Sequence, residues 1–177
     1  ESMLMDISVF NLEKGKSEVF FEENKETALL LLNGKVEILW NGQSAVLERD
    51  NVFDESPTCL HVSKGVKIEL KVLEDSEVLI QKTENNNKFD SKLYLKEDCT
   101  SEIFGDGVWN DTARRVVRTV FDYKNAPYSN MVMGEVINYP GKWSSYPPHH
   151  HPQPEVYFYK FNKPQGFGLC LVGEEAF

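Results

Sequence analysis

Short segments of alternating apolar and polar residues, separated by tight-turn signals, dominate the first half of the chain. The clearest alternation runs over residues 66–72, where four aliphatic side chains share one face and three charged side chains share the other. Asn33-Gly34 and Asn41-Gly42 are dipeptides that favour two-residue hairpin turns. An acidic turn is expected at Glu74-Asp75. This pattern predicts an all-β sandwich or barrel without long amphipathic helices.

Composition changes at residues 84–88, where three consecutive asparagines favour turn and loop conformations. We therefore predict a first β-rich domain over residues 1–84, a surface linker over 85–100 and a second β-rich unit over 101–177. Within the second unit, the pattern predicts strands over residues 113–121 and 130–138. Prolines then favour an extended, turning path through the residues that follow.

Charge and cysteine usage narrow the class of protein. Nineteen Lys and Arg against 28 Asp and Glu give a net charge of −9, which argues against nucleic acid as the main partner. The longest apolar run, residues 28–32, is too short for a membrane span. Cys59, Cys99 and Cys170 form no CxxC pair, which indicates reduced thiols and a cytoplasmic protein. Cys170 lies in an apolar run and is predicted to be a core thiol.

Three of the four histidines stand in one tripeptide, which is the most informative motif of the chain. If this segment is extended, His149 and His151 share one face and His150 lies on the other. A turn at residues 152–154 can then bring the carboxylate of Glu155 to the two imidazoles. Two neutral nitrogens and one carboxylate fit a divalent ion, and Zn, Mn, Fe and Ni all stay open. The alternative is a solvated His-rich loop.

The same stretch resembles the cupin motif, with His149-x-His151-x3-Glu155 preceded by Gly141. Residues 141–151, Glu155 and Pro164-Gln-Gly-Phe-Gly168 are similar to the 5-deoxy-glucuronate isomerase family, often called IolB. These are bicupin enzymes of myo-inositol catabolism. The resemblance covers roughly residues 105–168 and implies two cupin-type β-barrels, the second incomplete in this chain. It also implies that His149, His151 and Glu155 are metal ligands, with a fourth histidine late in the same barrel. No histidine follows His151 in the sequence.

The resemblance implies an aldose–ketose isomerase whose partner is a small sugar acid, converting 5-deoxy-D-glucuronate to 5-dehydro-2-deoxy-D-gluconate. The short spacing at residues 152–154 is closer to the related KduI-type isomerases, which act on 4-deoxy-L-threo-5-hexosulose-uronate. A non-catalytic sugar-binding cupin and a metal-dependent dioxygenase are further alternatives. The catalytic base is not identified, although Tyr157, Tyr159 and Lys160 are nearby candidates. Open barrel edges favour a homo-oligomer.

Two other sets of residues bear on the site. Arg114, Arg115 and Arg118 form the only arginine cluster, which could hold a substrate carboxylate or cover a solvated strand face. His61 has no second histidine at HxH spacing and no glutamate three to five residues later. We therefore predict a structural role for His61 and a first barrel without a metal site.

Overall fold

The computed structural model describes residues 3–174, so the outermost residues of both predicted domains lie outside the described part. Ten strands and two short 3-10 turns form these residues, and the all-β prediction is confirmed. The turns span Lys96–Asp98 and Trp109–Asp111. The strands are β1 Met5–Leu12, β2 Ser17–Phe20, β3 Lys25–Trp40, β4 Gln43–Arg49, β5 Cys59–Val62, β6 Ile68–Glu84, β7 Lys92–Tyr94, β8 Thr100–Phe104, β9 Arg115–Phe121 and β10 Met133–Asn138. Between residues 3 and 174, no helix has the length and apolarity to cross a membrane.

The long strands β3 and β6 organise the first, seven-stranded sheet. They pair antiparallel along nearly their whole length, and the other five strands of this sheet pair with one of them or with β5. Ile68, Leu70 and Val72 of β6 are buried, as the alternation predicts. They pack with Leu29 and Ile38 of β3 in an apolar core. Burial of this core is the main stabilising contribution to the first sheet.

The two Asn-Gly dipeptides have different structures. Asn41-Gly42 forms the predicted two-residue hairpin, with φ of 46° and 75° and with Trp40 paired to Gln43. Asn33-Gly34 does not form a hairpin, because β3 continues through it with register shifts against β6. The acidic turn predicted at Glu74-Asp75 is likewise wrong, since both residues lie inside β6 opposite this irregularity.

Part of the predicted linker belongs to the first sheet. Strand β7 pairs with β5, and the Tyr94 side chain is fully buried. The linker ends in β8, which forms a second sheet of three strands in the order β10-β9-β8. Strands β9 and β10 correspond to the two strands predicted in this region. Phe121 and Met131 pack on Leu30 and Tyr94, so an apolar layer joins the two sheets.

Buried polar contacts also join the two sheets. Arg49 of β4 is fully buried and donates two hydrogen bonds of 2.8 Å to the carboxylate of Glu135 on β10. Arg118 of β9 donates to the backbone carbonyls of Val52, Phe53 and Glu55. The position of β10, which leads into the histidine motif, is therefore tied to the first sheet.

Residues 139–174 contain turns and bends but no strand. The pair of extended strands expected around His149–His151 and Glu155–Tyr159 is therefore not formed. Four prolines between residues 147 and 154 lack the N–H that a strand ladder requires. Among the described residues, no strand pairs with this segment. The histidine motif thus follows β10 as an irregular segment on the surface.

Candidate metal centre

The segment before the histidines is anchored to the loop that precedes β9. The Trp143 N–H donates to the Thr112 carbonyl at 2.9 Å. Trp109 and Tyr146 meet edge to face, with ring centroids 5.4 Å apart. These contacts hold residues 143–146 against the second sheet, and the histidines follow directly.

The structure brings together two of the three predicted ligands. His151 Nε2 lies 3.2 Å from Glu155 Oε2. Two ligand atoms that share one tetrahedral zinc ion are separated by roughly 3.4 Å, given metal–ligand bonds of about 2.1 Å. The His151–Glu155 separation therefore matches a pair of atoms on one ion. Glu155 lies four residues after His151, so the short turn at residues 152–154 is sufficient to produce this contact.

His149 is the third predicted ligand and lies farther away. Its ring centroid is 6.4 Å from that of His151. Its Nδ1 lies 3.2 Å from the Pro147 carbonyl oxygen, which can only accept a hydrogen bond. When Nδ1 donates this bond, Nε2 keeps its lone pair and is the atom available to a metal.

Two imidazole nitrogens and a carboxylate fit a borderline divalent ion. The three side chains are nevertheless too far apart to bind one ion together. No group of three or more His, Cys, Asp or Glu side chains among residues 3–174 is spaced to hold a metal ion. His149, His151 and Glu155 are all exposed. A metal bound by all three would require the His149 ring to approach the His151–Glu155 pair. The assignment of these three residues as ligands therefore stays a prediction.

The candidate bases differ in their surroundings. Burial and the neighbouring Glu155 carboxylate raise the pKa of Tyr157 to about 12, so its hydroxyl is a donor at neutral pH. Burial and the Cys170 thiol raise the pKa of Tyr159. The Lys160 ammonium is paired with the Glu77 carboxylate. Tyr157 and Tyr159 are about half exposed and do not pack inside a barrel in the described part of the chain.

The arginine cluster is divided among three environments. Arg118 is buried and bonded to backbone carbonyls, so the expectation of a solvated face is wrong for this residue. Arg114 donates to Asp106 at 2.5 Å and stands over the Tyr139 ring. Arg115 stands over the Phe104 ring. Of these three, Arg115 has no carboxylate partner among the described residues.

His61 has the structural role that the sequence predicts. It is fully buried, its Nε2 lies 2.8 Å from Glu26 Oε2, and its ring stacks on Phe121. Glu26 also accepts hydrogen bonds from the Ser129 hydroxyl and the Asn130 N–H. The prediction of a buried Cys170 is wrong, because this residue is exposed in an apolar segment that nothing in residues 3–174 covers.

A family model described as the KduI/IolB family matches residues 1–176. This chain belongs to that family. The 5-deoxy-glucuronate isomerase of Halalkalibacterium halodurans is 25% identical over 177 residues, covering 92% of this chain and 63% of the relative. That of Geobacillus kaustophilus is 28% identical, covering 93% and 62%. The chain thus spans about 63% of the length of the curated relatives it matches.

A solved IolB-like protein from Salmonella typhimurium LT2 shares the fold, with a TM-score of 0.74 and 16% identity. The match covers 81% of this chain and 54% of that protein. This likeness confirms the predicted cupin-like all-β fold. The partial coverage and the open three-stranded sheet of the described residues are consistent with the predicted bicupin whose second unit is incomplete.

Sequence reasoning missed the residues that position the site. Arg49 and Glu135 are separated by 86 residues, and no local pattern pairs them. Trp109 is 57% exposed beside Tyr146, a contact that no local pattern predicts. A tryptophan in a glycine-rich loop, Gly105-Asp-Gly-Val-Trp109, was the available signal.

Proposed function

We propose that this protein is an intramolecular aldose–ketose isomerase that acts on a deoxy-uronate sugar, with 5-deoxy-D-glucuronate as its substrate. One observation carries the proposal. The His149-x-His151-x3-Glu155 motif occurs in a chain whose residues 1–176 match the KduI/IolB family. The curated relatives named 5-deoxy-glucuronate isomerase support this choice of substrate. The reaction belongs to myo-inositol catabolism.

His149, His151 and Glu155 would hold a divalent ion, which would neutralise the negative charge that develops on the substrate during isomerisation. The contact between His151 and Glu155 supports this ligand set. Tyr157 stays protonated at neutral pH and can donate a hydrogen bond to Glu155, which orients that carboxylate. Arg115 is suited to hold the substrate carboxylate, because its guanidinium is not committed to an acid.

The decisive experiment compares four variants of the same short segment. Binding of Zn²⁺ and Mn²⁺ is measured by equilibrium dialysis for the wild type and for His149→Ala, His151→Ala, Glu155→Ala and His150→Ala. We expect the first three substitutions to weaken binding by roughly 10–100-fold or more, since each removes a donor. His150→Ala is the matched control and should bind as the wild type does. Equal losses in all four variants would contradict the assigned ligands.

Turnover is tested separately on the metal-loaded protein. Conversion of 5-deoxy-D-glucuronate is followed by proton NMR, which distinguishes the aldehyde from the ketone product. Isomerisation that depends on His149 and His151 supports the proposal. Metal binding and sugar binding without isomerisation would contradict it and favour a sugar-binding cupin. Preferential turnover of 4-deoxy-L-threo-5-hexosulose-uronate would transfer the assignment to the KduI type, and oxygen consumption with Fe²⁺ would indicate a dioxygenase.

The proposal also includes the location of the protein and its oligomeric state. The three cysteines are free, which supports a cytoplasmic location. Strands β8 and β10 are the outer strands of the second sheet, which supports self-association through an open edge. Cell fractionation tests the first property, and light scattering coupled to size-exclusion chromatography tests the second.

A further inference from the structure

Three consecutive non-glycine residues have left-handed backbone conformations in the loop before β9. Trp109, Asn110 and Asp111 have φ values of 48°, 53° and 57°. This conformation is unfavourable for L-residues and persists where the surroundings determine it. Three such residues in a row therefore require contacts that hold the backbone in this conformation.

The turn is fixed by its own loop. The Asp111 carboxylate accepts a hydrogen bond of 2.6 Å from the Gly107 N–H. The Thr112 hydroxyl donates to the Trp109 carbonyl. Gly105 is packed so closely on the residues just before β9 that an added Cβ would lie 2.6 Å from the Ala113 carbonyl oxygen. These contacts hold the left-handed turn in one place on the second sheet.

The turn presents the Trp109 indole to the segment that carries the histidines. The indole is 57% exposed, and its ring meets the Tyr146 ring at 82°. Beside this contact, the Trp143 N–H donates to Thr112, and the Lys142 ammonium donates to the Asn110 carbonyl at 3.4 Å. Residues at the start, middle and end of this loop, Trp109, Asn110 and Thr112, thus contact residues 142–146.

Tyr146 is connected to the first predicted ligand through a restricted stretch of backbone. Two prolines, Pro147 and Pro148, separate it from His149, and their rings fix φ near −65°. The Pro147 carbonyl is also the group that His149 Nδ1 contacts. Fixing Tyr146 therefore also restricts where the following backbone places the His149 imidazole.

We propose that Trp109 is a positioning residue that fixes Tyr146 and thereby limits where the His149 imidazole lies beside the pair formed by His151 and Glu155. The left-handed turn is the device that holds the indole in place. This inference rests on the proposed metal site, but the contact that it describes can be tested without metal.

The test uses the histidine ring signals in two-dimensional NMR spectra of the metal-free protein. The chain has four histidines, and His61, buried in the first sheet, serves as an internal control for folding. We expect Trp109→Ala to change the ring signals of His149 and leave those of His61 unchanged. Trp109→Phe keeps an aromatic edge-to-face partner and should restore the wild-type signals. Tyr123→Ala, at a side chain that is 74% exposed in the β9–β10 connection, is the matched control.

A second arm measures Zn²⁺ affinity, for which we expect a loss of roughly tenfold in Trp109→Ala and recovery in Trp109→Phe. Unchanged His149 signals in Trp109→Ala would overturn the inference, as would a loss in Trp109→Phe equal to that in Trp109→Ala. If Trp109→Ala perturbs His61 as well, Tyr146→Ala removes the same contact from the other side and decides the question. A wild type that binds no Zn²⁺ would overturn the proposed metal site, whereas the ring signals would still decide the role of Trp109.

Discussion

The three thiols differ in burial, and this difference predicts the order in which they react. Burial raises the pKa of Cys59 far above its usual range. Burial, with a smaller contribution from Asp98, raises the pKa of Cys99 to about 11. Cys170 is exposed. Because only the thiolate reacts, roughly one thousandth of Cys99 is reactive at pH 8.

With iodoacetamide we therefore expect Cys170 to be alkylated first, Cys99 slowly and Cys59 only after unfolding. The Cys99 rate should rise with pH up to about 11, since its pKa is raised and the thiol form persists below that value. Peptide mass spectrometry over a time course measures all three sites in one sample. Rapid labelling of Cys59 in the folded protein would contradict the buried position of β5.

Predictions for single residues succeeded where the local pattern was sufficient. The lone His61 was correctly predicted to be structural, but its partner Glu26 lies 35 residues earlier and could not be predicted. Cys170 was wrongly predicted to be buried, because the apolar run at residues 169–172 indicates only that something covers it. Burial requires a partner surface, and residues 3–174 supply none for this run.

Among the strands, close packing at Gly34 of β3 determines how much stability a substitution there would cost. Gly34 has a φ of 97°, and an added Cβ would lie 2.3 Å from Ser76 Oγ and 2.4 Å from the Asp75 carbonyl oxygen. We expect Gly34→Ala to lower the free energy of unfolding by about 3 kcal/mol or more, since strain and overlap add. Urea unfolding followed by circular dichroism measures the loss.

Gly15 is the matched control for this substitution. It has a φ of 83°, but nothing lies within 4 Å of an added Cβ. Gly15→Ala should therefore cost only the backbone strain, about 1–2 kcal/mol. Equal losses for Gly15→Ala and Gly34→Ala would contradict the close approach of β3 and β6 at residues 34 and 76.

The same region contains a turn signal that the sequence alone could not interpret. Asn33-Gly34 and Asn41-Gly42 are identical dipeptides, and only the second forms a hairpin. Turn propensity acts locally, whereas β3 passes through Asn33-Gly34 because β6 pairs with it on both sides. Strand identity in 66–72, 113–121 and 130–138 was predictable from alternation. The absence of strands from residues 139–174 was not predictable, because a strand exists only with a pairing partner.

At the scale of the whole molecule, contacts between distant residues hold the two sheets together. Arg49 and Glu135 are 86 residues apart, and Ser129 lies 103 residues after Glu26. The change of composition near residue 85 predicted a boundary, yet β7 still belongs to the first sheet. No local pattern indicated that polar side chains would cross between the sheets. The candidate site shares this limitation, since spacing predicted the His151–Glu155 contact and could not place His149.

The Arg49–Glu135 pair supports the last prediction, because the Arg49 guanidinium is fully buried. Glu135→Ala leaves this charge without its carboxylate, and we expect a loss of about 3–5 kcal/mol in the free energy of unfolding. Glu69→Ala, which breaks an exposed pair with Lys67, is the control and should change the free energy of unfolding far less, because water and salt screen an exposed pair. Urea denaturation of both variants gives the comparison.

Adding Arg49→Met to Glu135→Ala removes the fully buried Arg49 charge and keeps an apolar side chain between the sheets. Arg118, whose Nη1 lies 3.7 Å from Glu135, stays hydrogen-bonded to backbone carbonyls. We therefore expect the double variant to recover much of the stability that Glu135→Ala loses, because a buried ion pair can be replaced by apolar groups at little net cost. The double-mutant cycle isolates the coupling between the two residues. If Glu135→Ala costs no more than Glu69→Ala, the Arg49–Glu135 pair contributes little to holding the two sheets together.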